Sequence, residues 1–393
     1  MSLAFAGMLG LLLLSSCKKE PVPFIPPEVE FITPTLNAGN VFPRIVDIEV
    51  KVTPSEQRTI ERVEFYIDGD LLGDQTDYSA PYTAQWEATD KFGELRTIET
   101  VAYDNEGQAG SASIQLQVWD GIELAPMPTS RYGFTSEVVN NKIYVIGGSE
   151  TKKVEAYDPA TNSWETKAEP IHGHFAHASC VLDNKIYVFG GDEGFNWITA
   201  NEMYDPVTNT WAEKAPIPID SGVAVGIMAA VAYQGKAYLF GGNSSLGDSV
   251  RVGVYDPKSD SWSIQAIKSG FSIAGTVLND QIYVSGGCPE HEIGMCANPS
   301  NQFEIYNPAT QSFESKPPSI YHHSGHVLCT VNGKIYAIGG VPDMDNTQME
   351  FYDPASNGWT ALPSMPIGAI DFGCGVVNGK IYIIGQKVYV FSP

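Results

Sequence analysis

The chain has 393 residues, of which 43% are hydrophobic, so it is long enough for two or three folded domains with separate cores. It carries 23 lysines and arginines against 46 aspartates and glutamates, a formal net charge of −23. Such a surface repels phosphate backbones and anionic lipid headgroups. We therefore exclude nucleic acid as a partner and expect no direct adsorption to a membrane.

The chain begins with an apolar stretch over residues 3–14, followed by Ser15-Ser16-Cys17. This stretch is too short to cross a bilayer as a permanent helix. It resembles a bacterial lipoprotein signal, although no lysine or arginine precedes it. The resemblance implies removal of residues 1–16, a lipid on Cys17 and an extended, proline-rich tether over residues 17–27. We expect a cell-envelope protein that only its lipid anchor attaches to the outer membrane, on its surface or its periplasmic face.

Residues 28–118 alternate apolar and polar positions in about seven strand-like runs. The length and the alternation predict a β-sandwich. Residues 63–69, 81–86 and 101–104 resemble the bacterial Ig-like domains of cell-surface proteins.

The remainder, residues 119–393, contains six copies of a word made of lysine or glutamine, an aliphatic residue and tyrosine. Gly-Gly follows the first five copies, then Tyr-Asp-Pro or Tyr-Asn-Pro, then one aromatic residue: Trp164, Trp211, Trp262, Phe313 or Trp359. These motifs resemble the kelch repeat of about 50 residues. The resemblance implies an all-β chain, an Ig-like β-sandwich followed by a six-bladed kelch β-propeller, in which glycines and aromatic residues are structural.

The last repeat stops one strand short, after residues 381–384 and 388–391. Trp119 and the following residues 124–128 resemble an outermost kelch strand with its trailing loop. The sequence therefore predicts that the segment around Trp119 completes the sixth blade and joins the two ends of the propeller.

Cys288 and Cys296 lie close together in one long loop and are candidates for a disulfide in an oxidising compartment. Cys180, Cys329 and Cys374 lie in strands of small residues. We expect them to be buried thiols rather than metal ligands.

The chain's seven histidines all fall on one predicted face of the propeller, which is the default binding face of the fold. They are His172, His174 and His177 before blade two, His322, His323 and His326 before blade five, and His291 in blade four. Arg131 and Asp371 occupy comparable positions in blades one and six. Two interpretations stay open, a metal or acid–base site and a hydrogen-bonding rim. Because His174 and His177 would point to opposite faces of a strand, we favour the rim and expect no metal and no cofactor.

Trp197 is the one tryptophan without an expected packing role. It shares the blade-two loop with Glu193, where an aromatic face beside carboxylates suits stacking on a sugar ring. A tryptophan that pins its own loop to the next blade is an equal alternative. The predicted ligand-binding residues are Arg131, His174, His177, Glu193, Trp197, His323, His326 and Asp371.

The sequence contains no nucleophile elbow, phosphate loop, HExxH or CxxC motif. The leading hypothesis is therefore a binding module, with a glycan as the first ligand class and a protein as the second. The alternative is a sugar epimerase or mutarotase similar to the sialic-acid mutarotases, drawing on Arg131, Arg251, Glu193 and Glu202. A galactose-oxidase-like copper enzyme is less favoured, because only Tyr321-His322 matches its pattern.

Overall fold

A computed structural model of the chain describes residues 25–34, 41–55, 57–149, 151–218, 222–242, 251–267, 270–288, 296, 298–340, 347–365 and 372–393. Its regular structure within these ranges is a series of 32 strands. No helix in the described part of the chain has the length and apolar character needed to cross a membrane. The fold is all-β, as the sequence predicts.

The N-terminal domain is a β-sandwich of two sheets with strand orders β1-β3-β6 and β2-β8-β7-β4-β5. Its strands are β1 (Glu28–Thr33), β2 (Val41–Phe42), β3 (Ile45–Thr53), β4 (Ile60–Ile67), β5 (Asp70–Asp77), β6 (Tyr82–Glu87), β7 (Leu95–Asp104) and β8 (Ala109–Val118). Alternate side chains of β3 and β7 turn inward, and the buried core between the sheets includes Ile48, Phe65, Trp86 and Ile98. The Ig-like prediction for this region is confirmed.

The propeller consists of six four-stranded antiparallel sheets. Blade one contains β10 (Thr135–Val139), β11 (Lys142–Ile146), β12 (Val154–Asp158) and β13 (Ser163–Lys167). Blade two contains β14 (Ala178–Leu182), β15 (Lys185–Phe189), β16 (Asn201–Asp205) and β17 (Thr210–Glu213). Blade three contains β18 (Ala229–Tyr233), β19 (Lys236–Phe240), β20 (Arg251–Asp256) and β21 (Ser261–Ile267).

Blade four contains β22 (Ala274–Leu278), β23 (Gln281–Ser285), β24 (Phe303–Asn307) and β25 (Ser312–Ser315). Blade five contains β26 (Val327–Val331), β27 (Lys334–Ile338), β28 (Met349–Asp353) and β29 (Gly358–Leu362). Blade six contains β30 (Gly373–Val377), β31 (Lys380–Ile384) and β32 (Val388–Phe391), and its outermost strand is β9 (Gly121–Leu124). Each blade begins at the central channel, and its first strand is preceded by what we call the leading loop.

The repeated motifs join neighbouring blades. The lysine–tyrosine word opens the second strand of each blade, and the later aromatic residue lies on the fourth. The indole of Trp164 donates a 3.0 Å hydrogen bond to the carbonyl of Ala125 in the loop that leads into its own blade, and Trp211 bonds Ala168 in the same way at 2.8 Å. The aromatic residues are therefore structural, because they fix each blade to the chain that arrives from its neighbour.

The Gly-Gly pairs allow close approach between blades. The second glycine donates its N–H to the leading loop of the next blade, as Gly148 does to the carbonyl of His174 at 2.8 Å. The pair also approaches the leading loop of its own blade, since Gly191 has φ +99° and a Cβ there would lie 2.8 Å from the carbonyl oxygen of Phe175. A side chain at this position would separate the two backbones.

A series of backbone hydrogen bonds, which we call the collar, encircles much of the channel mouth. In blades one to five the leading loop places one residue in the left-handed region two positions before the first strand: Gly133, Ala176, Ile227, Ser272 and Gly325. The N–H of each of these residues from blade two to blade five donates to the carbonyl of its counterpart in the preceding blade, at 2.7–3.2 Å. The left-handed conformation turns the N–H towards one neighbour and the carbonyl towards the other.

The predicted closure of the ring is confirmed, with one difference of detail. Strand β9 pairs with β32, so the chain upstream of blade one supplies the fourth strand of blade six. Trp119 precedes this strand rather than lying in it. Gly121 takes the register position that Trp164 holds in blade one, and the Trp119 ring folds over it. Trp119 is 1% exposed and stacks on Phe391 with ring centroids 5.9 Å apart.

Candidate functional site

Two of the predicted binding histidines lie inside the blades. His174 and His323 are equivalent residues of the blade-two and blade-five leading loops, and each Nδ1 contacts a carbonyl of the adjoining Gly-Gly pair at 2.7 and 2.9 Å. Nε2 of His323 lies 2.7 Å from Glu350, and Nε2 of His174 lies 3.5 Å from Glu202. All four side chains are fully buried. Their place is therefore the blade interior and not a surface that a ligand could reach.

Arg131 has the same internal position in blade one. Its guanidinium pairs with Glu155 and donates a 3.2 Å hydrogen bond to the carbonyl of Val145. Both charged side chains are buried, at 0% and 2% exposure. Burial of the ion pair removes Arg131 from the predicted rim, because a ligand would have to break the pair and leave Glu155 unpaired.

The carboxylates that hold these residues were missed by the sequence reasoning, which named only Glu202 and only as a surface candidate. They occupy one register on the third strand and hold the leading loops. Glu202 accepts the N–H groups of Ile171 and His172 at 2.9 and 2.8 Å, and Glu350 accepts that of Ile320 at 2.9 Å. The available signal was a Glu-x-Tyr triplet that overlaps the Tyr-Asp-Pro or Tyr-Asn-Pro motif in four repeats, at Glu155, Glu202, Glu304 and Glu350.

His177 and His326 are the predicted histidines that adjoin the central channel, a cavity of about 570 Å³. They stand directly before the first strand, where the other blades have Phe134, Met228, Ile273 and Phe372. Burial lowers the pKa of both imidazoles well below its usual value, so both are neutral at pH 7. Nε2 of His177 bonds the hydroxyl of Thr135 at 2.7 Å. Neither ring nitrogen of His326 has a hydrogen-bond partner among the described residues.

Glu137 also lines the channel, and the sequence analysis did not select it. Its carboxylate accepts a 2.7 Å hydrogen bond from the hydroxyl of Ser179. Desolvation raises the pKa of Glu137 to about 7, although the Ser179 hydroxyl acts in the opposite direction. Its position on an innermost strand offers no motif, because the alternation that identifies a strand does not say which blade face meets the channel.

A second cavity of about 420 Å³ lies on the loop face between blades one and two, and we call it the blade 1–2 groove. Its aromatic lining consists of Tyr132, Phe175 and Phe195, and Lys152 and Glu193 are among its polar residues. Tyr132 and Phe175 meet edge to face with centroids 5.5 Å apart. The Phe195 side chain is 99% exposed. The groove thus combines the packed pair of Tyr132 and Phe175 with the exposed ring of Phe195.

Glu193, predicted as a binding residue, lies in this groove and is ionised. Its pKa is lowered to about 2, chiefly by the Gly173 N–H at 2.7 Å, with Lys152 and His172 assisting. Lys152 lies 3.1 Å from the carboxylate. The carboxylate therefore fixes the blade-two leading loop and presents a fixed charge to the groove.

Trp197 packs on the next blade and leaves part of its ring exposed. Its ring lies over Gly226 of blade three, where a Cβ would come within 1.9 Å of it, so it pins its loop to the next blade. It is also 40% exposed and borders the channel mouth. One part of the ring is structural and the rest is open to a ligand.

The structure also gives the positions of the predicted cysteines and of the remaining candidate residues. Cys288 and Cys296 form a disulfide, as predicted. Cys180 and Cys329 are buried free thiols, whereas Cys374, predicted to be buried as well, is a free thiol that is only partly buried. Asp371, His291 and Cys17 lie outside the described residues. Within the described ranges no group of three or more histidine, cysteine, aspartate or glutamate side chains is placed to hold a metal ion.

Comparison with protein families assigns both parts of the chain. Residues 27–116 match the bacterial Ig domain. Residues 112–274 match the KLHDC2/KLHL20/DRC7 Kelch-repeats domain, and residues 271–319 and 323–366 match single kelch motifs.

Curated relatives are similar to this chain over part of their length. Kelch-like protein 35 of Mus musculus is 28% identical over 230 residues, which are 57% of this chain and 37% of that protein. Kelch-like protein 25 of Xenopus tropicalis is 30% identical over 258 residues, 60% of this chain and 33% of that protein. Kelch-like protein 36 of Bos taurus is 33% identical over 105 residues, 26% of this chain and 16% of that protein. The chain thus spans well under half the length of these relatives.

The solved structure titled "Structure of YjhT" shares the fold, with a TM-score of 0.57 and 16% identity. The match covers 67% of this chain and 95% of that one. Together with the blade order and the closing strand, these matches establish that the chain belongs to the kelch-repeat β-propeller proteins and carries a bacterial Ig domain ahead of its propeller.

Proposed function

We propose that the protein is a binding module whose blade 1–2 groove takes a glycan. The observation that carries this proposal is the composition of the groove, in which the rings of Tyr132, Phe175 and Phe195 stand beside Lys152 and Glu193. Ligand sites commonly combine such apolar and aromatic walls with a few fixed polar groups. A sugar presents both complementary surfaces, since its C–H face stacks on aromatic rings and its hydroxyls bond charged groups.

Binding is supported over sugar isomerisation by the positions of the residues that an enzyme would need. Arg131 and Glu202 are buried in two different blades and bonded to internal partners. Glu193 is held ionised by Gly173 and Lys152, so its low pKa makes it a poor general acid near neutral pH. These groups do not converge on one reacting atom.

A protein ligand is the second candidate, and a separate observation favours it. Large apolar side chains are exposed around the loop face at Tyr132 (56%), Ile171 (46%), Phe195 (99%) and Ile320 (50%). Exposed aromatic and aliphatic anchors of this kind are typical of protein interfaces. Kelch propellers generally bind proteins.

A glycan array probed with the full chain tests the proposal, with affinities of hits measured by calorimetry. Phe195→Ala and Tyr132→Ala should each weaken glycan binding about fivefold, because an aromatic contact contributes roughly 1 kcal/mol. Tyr78→Ala is the matched control, since this ring is 69% exposed on the Ig domain. NMR measurement of anomer exchange separates binding from catalysis. Accelerated exchange, or full affinity in both groove variants, would contradict the proposal.

The protein candidate has its own discriminating variant. Ile320 lies in the blade-five leading loop, outside the blade 1–2 groove. Ile320→Ala should weaken a protein partner that covers the loop face and leave a glycan in the groove unaffected. Loss of a captured partner in both Ile320→Ala and Phe195→Ala would select the protein ligand.

We also propose that a lipid on Cys17 holds the protein at the outer membrane, on the evidence of the N-terminal sequence alone. Fatty-acid labelling should mark the wild type, and Cys17→Ser should abolish the label and move the protein to the soluble fraction. A wild type that is soluble and unlabelled would refute the anchor without affecting the groove.

A further inference from the structure

One wall of the central channel is a row of hydrogen-bonding side chains on the innermost strands of blades one and two. Thr135 and Glu137 alternate on β10, and they meet His177, directly before β14, and Ser179 on β14. Thr135 bonds His177 at 2.7 Å, and Ser179 bonds Glu137 at 2.7 Å. The four side chains therefore form two hydrogen-bonded pairs between blades one and two, with polar atoms at the cavity.

The facing part of the wall is mainly apolar, and blades three, four and five contribute the small or aliphatic residues Ala230, Ala274, Gly275, Val327 and Leu328. Its polar members are Ser272 and His326, and burial keeps His326 neutral at pH 7. The described residues that line the cavity include no lysine or arginine. The channel thus has one acidic side and one mainly hydrocarbon side, and its described wall supplies no cation for the acid.

The surroundings of Glu137 leave its charge without compensation. Besides Glu137, the described titratable residues that line the cavity are His177, His326 and Cys374, and Cys180 on β14 is close enough to Glu137 for the carboxylate to raise its pKa. A thiol carries no positive charge, and burial keeps His177 and His326 neutral at pH 7. Among the described residues the Ser179 hydroxyl is the group that stabilises the carboxylate, and desolvation holds the pKa of Glu137 near 7. A cation within a few ångströms would favour the ionised form strongly.

We propose that the central channel binds an aliphatic primary amine, whose ammonium group pairs with Glu137 and whose alkyl chain lies along the wall formed by Ala230, Gly275 and Leu328. An ammonium group has three donors, which the carboxylate of Glu137 and the hydroxyl oxygen of Ser179 can accept. Pairing with a desolvated carboxylate gives the site its selectivity for a cation. A free amine and the side chain of a lysine in a peptide present the same chemistry to this site. This site is separate from the blade 1–2 groove.

The test uses n-pentylamine and, as its neutral isostere, 1-pentanol, both titrated into the full chain by calorimetry at pH 7. Pentylamine should bind at least tenfold more tightly than pentanol. Because the pKa of Glu137 is about 7, binding should release about half a proton, detected as a heat that depends on the ionisation enthalpy of the buffer. Equal affinities, or no proton release, would overturn the proposal.

Glu137→Gln keeps the size of the side chain and removes its charge. It should weaken pentylamine at least tenfold, abolish proton release and leave pentanol unchanged; unaltered pentylamine affinity would refute the site. If this variant does not fold, the wild type answers by itself, since its affinity for pentylamine should rise from pH 5.5 to pH 8 as the carboxyl ionises. An affinity that is flat over that interval contradicts the inference.

Two further measurements distinguish a free amine from a lysine side chain and the channel site from the blade 1–2 groove. A short acetylated peptide with one lysine, compared with the same peptide carrying norleucine, tells whether a peptide side chain enters as well as a free amine. Phe195→Ala should leave pentylamine binding intact, and Glu137→Gln should leave glycan binding in the groove intact. The two sites can therefore fail independently.

Discussion

Replacing Trp119 with alanine should destabilise the propeller through the closure of blade six. The ring is 1% exposed, stacks on Phe391 and meets Tyr389 edge to face at 5.6 Å. A buried aromatic side chain removes about 150–250 Å² from water, which at about 25 cal/mol per Å² corresponds to roughly 4–6 kcal/mol. Alanine retains a small part of this burial. We therefore expect Trp119→Ala to lower the free energy of unfolding of the propeller by about 3–5 kcal/mol.

Urea unfolding of the full chain, followed by near-ultraviolet circular dichroism and calorimetry, checks this value. The two domains allow two transitions, so each must be assigned. Trp86→Ala, in the core of the Ig domain, is the matched control and should lower only the Ig transition. Trp119→Ala should lower the propeller transition by on the order of 10 °C. A propeller shift equivalent to less than 1 kcal/mol would refute the role assigned to the closing segment.

Three further predictions concern the interior of the blades. Glu350→Gln should lower the free energy of unfolding, measured in urea, by about 2–4 kcal/mol, because it weakens the buried contacts to the leading loop. The control Glu123→Gln, at an exposed ion pair, should lower it by less than about 0.5 kcal/mol. Equal losses in the two variants would contradict the internal role of Glu350. His326 is neutral in the folded protein but becomes protonated in the unfolded chain below its ordinary pKa, so stability is lost as the pH falls from 7 to 5. His326→Phe should reduce that loss by up to about 2 kcal/mol. An unchanged pH dependence of the unfolding free energy would contradict this prediction. Gly191→Ala should lower the melting temperature more than Gly235→Ala. Gly235 is the control because its φ is also positive, while a Cβ there would meet nothing within 4 Å. Equal shifts in melting temperature would show that the close approach at Gly191 is unimportant.

The fold follows from the sequence because each repeat carries the residues that join one blade to the next. Gly148 donates its N–H to the leading loop of the next blade, and Trp164 bonds the loop that leads into its blade. Because backbone geometry and ring packing impose these requirements in successive blades, the same residue types recur at the same spacing in the sequence. The position of the closing strand could be predicted for the same reason, since one strand was missing from the final repeat.

The candidate site was predicted less well, because a loop residue can turn into the blade or out of it at the same spacing. The grouping of histidines in two loops reflects the equivalence of blades two and five. His174 and His323 turn inward to buried glutamates, and His326 fills a position that is apolar in other blades. Glu137 was missed because nothing in a strand's alternation tells which residues reach the channel. Side-chain direction required the three-dimensional structure.

The closing strand also decides how the propeller responds to mechanical load. The Ig domain is joined to it through Trp119, and the N–H of Arg44 donates a 2.8 Å hydrogen bond to the carbonyl of Gly121, the first residue of β9. A pull on the N-terminal side is therefore transmitted to the propeller through β9. Four residue pairs join β9 to β32 and lie directly in the path of that force. Rupture would begin at this seam, exposing the edge of β32 while blades one to five were still intact.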